Sequence, residues 1–300
     1  MTRISDGTAD QHREKTALVV EGGGMRGIFS TGLLDGFLER GFEPFHLFVG
    51  VSAGATSLAA YLAEMHGRNR RIYTELSTGP EFISLARFLR GGHYMDLDWL
   101  WDVTISRMRL DLPKIYGKKK PFIVGMTSVD TGEAVFKETA AENVEHVLKA
   151  SSALPVIYRG FPVVDGRRMT DGGVAAPIPV DEAIRRGASR IMVIRSRPRA
   201  LMSRKDAWSM LTRLMLYRHP ALQATIDRHH AAYADAVALI RRPPDGVTMV
   251  EISPPDDFRA SRFTRDPGVL HSAYEQGRTA SRDAIQQWES TSPGDEVRRR

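Results

Sequence analysis

Leu47-Phe48-Val49-Gly50-Val51-Ser52-Ala53-Gly54 is the stretch whose reading decides the fold. Its apolar run, Leu47 to Val49, reads as a strand. The chain then turns at Gly50 to Gly54 into a helix whose Leu58, Leu62 and Met65 recur on one face. Upstream the same unit appears once more. Ala17-Leu18-Val19-Val20 stops at Glu21 and three glycines, so it reads as a buried strand entering a sharp turn. After Gly27, residues Ile28, Leu34, Phe37 and Leu38 recur near helical spacing, and Gly41 is placed to end that helix. Two strand–turn–helix units in close succession predict an α/β layer built on a parallel sheet.

Further along, residues 69–112 read as mostly helical and carry exposed-looking bulky side chains, among them Phe82, Phe88, Trp99 and Trp101. Phe122–Val129 and Glu133–Phe136 form an expected hairpin across Asp130-Thr131-Gly132. A helix over 141–150 follows, then a second hairpin that turns at Asp165-Gly166 and leads to Asp171-Gly172-Gly173. Pro179–Arg186 reads as a short helix and Arg190–Ile194 as a strand. From about residue 205 the pattern is helical, broken by an expected strand over Val247–Ile252. No internal repeat or low-complexity segment is present.

With 300 residues, 42% hydrophobic and 26% charged, the chain can bury one sizeable core. It has no cysteine, which excludes disulfides and thiolate chemistry and fits a reducing cytoplasm. The net charge of +6 favours polyanions, whether lipid headgroups or nucleic acid, and a solvated basic face is the plain alternative. Lys118-Lys119-Lys120 and Arg298-Arg299-Arg300 carry part of it. No apolar stretch approaches the length of a membrane span, and Met1 to Thr16 lacks the apolar core of a secretory signal.

Three motifs carry chemistry. Ser52 stands between Gly50 and Gly54, the spacing that lets a serine hydroxyl project from a tight turn toward a carbonyl carbon. A plain glycine-rich strand-to-helix turn has the same letters. Gly22-Gly23-Gly24-Met25-Arg26-Gly27 runs into a helix N-terminus and offers several backbone N–H groups to an oxyanion. Each such donor contributes about 3–4 kcal/mol in the transition state. Arg26 is positioned to orient this loop or to meet a lipid phosphate. Gly22, Gly24 and Gly27 also spell a dinucleotide fingerprint, but that motif needs an acidic residue at the end of the next strand. Here that strand ends at Gly50, and Glu43 lies at its other end.

A serine nucleophile needs a base. Only His219, His229, His230 and His271 come late enough for the serine–acid–histidine order; three sit in helical pattern and His271 opens a helix. The alternative is Asp171, in Thr170-Asp171-Gly172-Gly173, whose basicity would come from partial desolvation beside Ser52.

In this order the three motifs resemble the patatin-like phospholipase family. Gly22 to Gly27 matches its oxyanion loop, with Arg26 at the basic position. Gly50 to Gly54 matches the nucleophile elbow, and Asp171-Gly172-Gly173 the Asp-Gly-Gly/Ala motif. Ala150-Ser151-Ser152-Ala153-Leu154-Pro155 is also typical. One departure stands after the aspartate, where Ala176-Pro177-Ile178-Pro179-Val180 replaces the Asn-x-Pro of plant-type members.

The resemblance implies a three-layer α/β/α sandwich with a mostly parallel central sheet. It implies hydrolysis of lipid or ester acyl bonds through an acyl-enzyme on Ser52, with Asp171 as base and neither metal nor cofactor. A catalytic domain is expected over 16–195 and a mainly helical extension, resembling that of a bacterial subgroup, over 196–289 on the same domain. Frayed tails are expected at 1–15 and 290–300. The expected partners are a lipid or ester substrate and, transiently, an anionic membrane surface; nucleic acid is not expected. The expected location is the cytoplasm, with peripheral contact at the inner membrane. Residues 80–101 read either as ordinary core packing of a helical insertion or as a lid or interfacial face, with Phe82, Leu85, Phe88, Leu89, Trp99, Leu100 and Trp101 meeting acyl chains and Arg87 and Arg90 meeting phosphates. Two alternatives remain open at this point: an acyltransferase, although those enzymes often carry a histidine where this chain has Val51, and a non-catalytic nucleotide-binding protein.

Overall fold

The computed structural model describes residues 14–201 and 214–291. Eight strands form one sheet: β1 (Thr16–Val20), β2 (Leu47–Val51), β3 (Phe122–Ser128), β4 (Ala134–Glu138), β5 (Val163–Val164), β6 (Arg167–Asp171), β7 (Arg190–Ile194) and β8 (Thr248–Ile252). The hydrogen-bonded path is β5-β6-β3-β2-β1-β7-β8, with β4 paired to β3. From β3 to β8 every pairing is parallel, whereas β4, β5 and β6 add antiparallel hairpins on the β3 side.

Alternate strand residues serve opposite faces, the period-2 rule of a sheet. Leu18, Val20, Phe48, Val124, Met192 and Ile194 face a layer made by α1 (Ile28–Glu39), α2 (Ser52–Leu62), helix Val144–Ser151 and the C-terminal helix Pro267–Ser290. Ala17, Val19, Leu47, Val49, Ile191 and Val193 face helices Val180–Arg185 and Pro220–Arg241. The result is an α/β/α sandwich. α1 and the C-terminal helix meet backbone to backbone: a Cβ on Gly32 would lie 2.0 Å from Tyr274 O, and one on Gly277 2.1 Å from Phe29 O.

Register on β3 brings two distant segments together. β2 pairs with β3 as far as Val51 opposite Gly125. β4 occupies the other edge of β3, opposite Ile123 to Thr127. β6 pairs with Met126 to Ser128, two of which β4 already holds, so β6 must lie on the β2 edge. β2 and β6 therefore abut on one edge of β3, with the end of β2 next to Asp171, which pairs with Met126.

The segment over 69–112 differs from expectation. It is broken into Arg68–Arg71, a π-helical turn Ile72–Leu76, Leu85–Leu89 and Leu97–Met108, with bends at Gly79-Pro80 and Gly91-Gly92. Phe82 and Trp101 are buried in the core instead of exposed; the apolar side chains that do face solvent are Leu85, at 60% exposure, and Leu89, at 76%. Arg87 does not face outward to a phosphate, because its guanidinium donates to Glu81 O, Phe82 O and His93 O. Residues 1–13 and 292–300 of the expected tails lie outside the described residues. Glu14 and Lys15 are held: Lys15 Nζ donates to Arg186 O at 2.7 Å, and Glu14 pairs with Arg190.

Candidate active site

Ser52 follows directly on β2 and begins α2, and its φ of +51° places a non-glycine residue in the left-handed region. Such a conformation costs about 1–3 kcal/mol and persists only where the surroundings enforce it. Two features enforce it here. A Cβ on Gly54 would lie 2.4 Å from Val20 O, so only glycine lets α2 come this close to β1. The Ser52 N–H donates to Ser151 Oγ at 2.7 Å, and Ser151 Oγ donates in turn to Gly125 O at 2.6 Å.

The register argument delivers Asp171 to the same place. Ser52 Oγ donates to Asp171 Oδ2 at 2.7 Å, while Asp171 Oδ1 accepts from the Gly173 N–H at 2.8 Å. Thr127 Oγ1 donates to the Asp171 carbonyl, and a Cβ on Gly172 would lie 2.1 Å from Gly125 O. The carboxylate is buried, at 3% exposure. Burial pushes its pKa up to about 6, against the opposing pull of the Ser52 and Gly173 hydrogen bonds and of Arg262. A carboxylate in this range is a stronger base than a solvated one yet remains ionised at neutral pH.

The glycine loop lies against the serine, since a Cβ on Gly22 would sit 3.2 Å from Ser52 Cβ. Gly24 takes a φ of +57° and opens a short 3-10 turn that runs into α1. Glu21 anchors the loop by accepting from the Ser196 N–H at 2.8 Å and from its hydroxyl at 2.9 Å. Not all six loop residues offer a donor. The Met25 N–H donates to Arg262 O at 3.1 Å and the Arg26 N–H to Gly23 O at 3.3 Å. Among the described residues the N–H groups of Gly22, Gly23 and Gly24 have no acceptor.

Ser52, Gly24 and Leu154 line two cavities at once. One is a polar cleft that also holds Glu21, Arg26, Asp171, Arg197, His229 and Arg262. The other is an apolar chamber walled by Phe82, Met95, Leu97, Leu100, Trp101 and Leu148. Of the aromatic residues read as exposed in the sequence, Phe82 and Trp101 are thus part of the inner wall of a chamber that opens onto Ser52. Of the late histidines, His219 packs edge-on against Phe161, His271 lies beside Arg70, and His229 reaches Val174 O from the polar cleft. Sequence reasoning missed Ser196, Arg197 and Arg262, none of which belongs to a motif. Ser151 was visible only as part of the Ala150–Pro155 segment. Among the described residues no cluster of three or more histidines or carboxylates could hold a metal.

Residues 18–184 match the model of one family, patatin-like phospholipase, over more than half of the chain. The chain belongs to the patatin-like phospholipase family. A second match, over residues 219–291, is to a domain of unknown function, DUF6363. The uncharacterized protein YjjU of Escherichia coli K12 is 33% identical over 274 residues, covering 89% of this chain and 76% of that protein. VipD from Legionella pneumophila shares the fold, with a TM-score of 0.51 at 14% identity over 91% of this chain and 67% of its own. Membership in the patatin-like phospholipase family places the chain among lipid hydrolases. Its Arg197 and Arg262 lie beyond the stretch that matches the patatin-like phospholipase model. Among the described residues no helix is long and apolar enough to cross a membrane.

Proposed function

We propose that this chain hydrolyses acyl ester bonds of phospholipids or related lipids with a Ser52–Asp171 dyad. The observation that carries this reading is the 2.7 Å hydrogen bond from Ser52 Oγ to a buried Asp171 carboxylate, with Ser52 held at a φ of +51°. Ser52 Oγ attacks the ester carbonyl while Asp171 accepts its proton. The resulting oxyanion is met by the N–H groups of Gly22, Gly23 and Gly24, which are oriented before the reaction begins. As the intermediate collapses, Asp171 returns the proton to the leaving alkoxide, which departs as a lysolipid or alcohol. Water then attacks the acyl-Ser52 ester with Asp171 again as base, releasing the fatty acid. The acyl chain occupies the apolar chamber beside Ser52.

The extension over 196–289 belongs to the same unit in this reading, because β8 extends the sheet beside β7 and the C-terminal helix lies on α1. Exposed Leu85 and Leu89 next to the chamber wall are the side chains that meet the acyl region of a membrane, in place of the buried Phe82 and Trp101. A fluorophosphonate probe tests the core of the proposal. It should label Ser52, and Ser52→Ala and Asp171→Asn should each remove hydrolysis of a p-nitrophenyl ester with the fold intact. Retained activity in Asp171→Asn would transfer the base role to a histidine, with His229 the first candidate.

A further inference from the structure

The polar cleft holds more positive charge than ester hydrolysis requires. Arg26 comes from the loop after β1, Arg197 from the chain after β7, and Arg262 from the segment between β8 and the C-terminal helix. The cleft therefore opens where β1 has β2 on one side and β7 on the other, the topological switch point at which open α/β sheets bind ligands. Three guanidiniums line it against two carboxylates, Glu21 and Asp171. Both carboxylates are engaged, Glu21 by Ser196 and by long ion pairs with Arg195 and Arg197, and Asp171 by Ser52 and Gly173.

Arg26 and Arg197 are not held as an ordinary structural arginine is. Fully buried Arg195 sets the comparison, since it pairs with Glu251 and donates to the Tyr233 hydroxyl oxygen at 2.8 Å. Arg197, like Arg195, has a buried Nε with no hydrogen-bond acceptor, but among the described residues it has only a long ion pair to Glu21 at 3.9 Å, and its guanidinium lies over the Tyr233 ring. Arg26 reaches only Ser196 Oγ, at 3.4 Å, and among the described residues it has no carboxylate in salt-bridge range. Burial first, then the positive charges of Arg197 and Arg262, push Arg26 down to about 10 against the opposing pull of Glu21. Like charges gathered in a half-enclosed cleft attract an anion strongly, because the low-dielectric walls focus their field.

We propose that Arg197 and Arg262, together with Arg26, form an anion subsite that selects substrates carrying a phosphate group next to the scissile acyl ester. The C-terminal extension, through Arg262, supplies headgroup selectivity to the catalytic sandwich. A phosphate offers several acceptor oxygens to planar guanidinium forks, which suits this trio better than a neutral glyceride does. A lipid whose chain fills the apolar chamber at Ser52 leaves its polar remainder to the adjoining cleft, since the two cavities share Ser52, Gly24 and Leu154. Arg262 is also coupled to the oxyanion loop, because its carbonyl oxygen accepts the Met25 N–H. The proposal rests on the Ser52–Asp171 reading.

Two measurements test it. In the first, kcat/KM is compared for dihexanoyl phosphatidylglycerol and for neutral p-nitrophenyl hexanoate with the parent, Arg197→Gln, Arg262→Gln and Arg262→Lys. Each glutamine variant should lower the ratio of phospholipid to neutral ester at least tenfold, mainly through KM, and the lysine variant should recover part of it. In the second, inorganic phosphate and sn-glycerol 3-phosphate are titrated calorimetrically into the Ser52→Ala protein, alone and combined with each glutamine substitution. Binding weakened at least tenfold by either substitution supports the subsite. Tighter binding of glycerol phosphate assigns it to a lipid headgroup, and equal binding to the phosphate group alone. An unchanged substrate ratio, or anion binding absent or undiminished by the substitutions, overturns it. If a glutamine variant melts well below the parent, the lysine variant carries the comparison. Neutral-ester hydrolysis that survives Ser52→Ala instead sinks the dyad reading, and the calorimetric arm stays informative.

Discussion

Replacing Ser151 by alanine removes one oxygen that serves two buried partners. The Ser151 hydroxyl accepts the Ser52 N–H at 2.7 Å and donates to Gly125 O at 2.6 Å, and the residue is fully buried. Each partner left unsatisfied costs about 1–3 kcal/mol, so Ser151→Ala should destabilise the fold by roughly 2–6 kcal/mol. For a chain of 300 residues that is a fall in Tm of about 3–10 °C. The catalytic consequence follows from strain. Ser52 at a φ of +51° stores about 1–3 kcal/mol, and without the Ser151 hydrogen bond the turn is free to relax away from Asp171. The expected kinetic signature is a kcat lowered about 10- to 100-fold with KM little changed, since the lost geometry belongs to the transition state. Circular dichroism melting and p-nitrophenyl butyrate kinetics measure both effects. Ser152→Ala is the matched control, because the Ser152 hydroxyl bonds only back to Leu148 O in its own helix. A Ser151→Ala protein that melts within a degree of the parent and keeps its kcat would refute the reasoning.

Three further predictions follow the same logic. The Asp171 carboxyl lies near 6, so kcat/KM should rise with pH through about 6 and then level off, and Asp171→Asn should lower kcat about 10²–10⁴-fold. Because that pKa is raised above its unfolded value, the stabilisation it brings is present at low pH and is lost as pH rises from about 4 to about 6. Roughly 3 kcal/mol is involved, and Asp171→Asn should therefore melt no lower than the parent at pH 8; a clearly lower Tm would contradict the assignment. Leu100→Trp, which intrudes on the apolar chamber, should exclude about three methylenes of a long acyl chain. At about 0.8 kcal/mol per methylene, kcat/KM for a laurate ester should fall about fiftyfold relative to butyrate, and an equal loss on both would move the acyl site elsewhere. Leu89→Asp, at a side chain 76% exposed, should weaken binding to anionic vesicles in a sedimentation assay while leaving butyrate hydrolysis at the parental level; unchanged vesicle binding would remove this face from the interface.

Sequence alone determined the parts of this protein that are local. Apolar runs ending in glycine-rich turns specify β1, β2 and their helices, because strand burial and helix start are set within a few residues. The elbow around Ser52 and the glycine loop were legible for the same reason, and the hairpins at Asp130-Thr131-Gly132 and Asp165-Gly166 follow from turn chemistry. Residues 69–112 were misjudged because burial is not local: Phe82 and Trp101 look exposed in one dimension and become chamber wall only when the sandwich packs against them. The meeting of Ser52 with Asp171 belongs to the tertiary structure alone. It depends on β2 and β6 sharing one edge of β3, a register that spans 119 positions of chain and leaves no periodic trace. Arg197 and Arg262 are likewise ordinary surface-type letters in the sequence. Folding brings both to the end of β1 and so gives the cleft its charge.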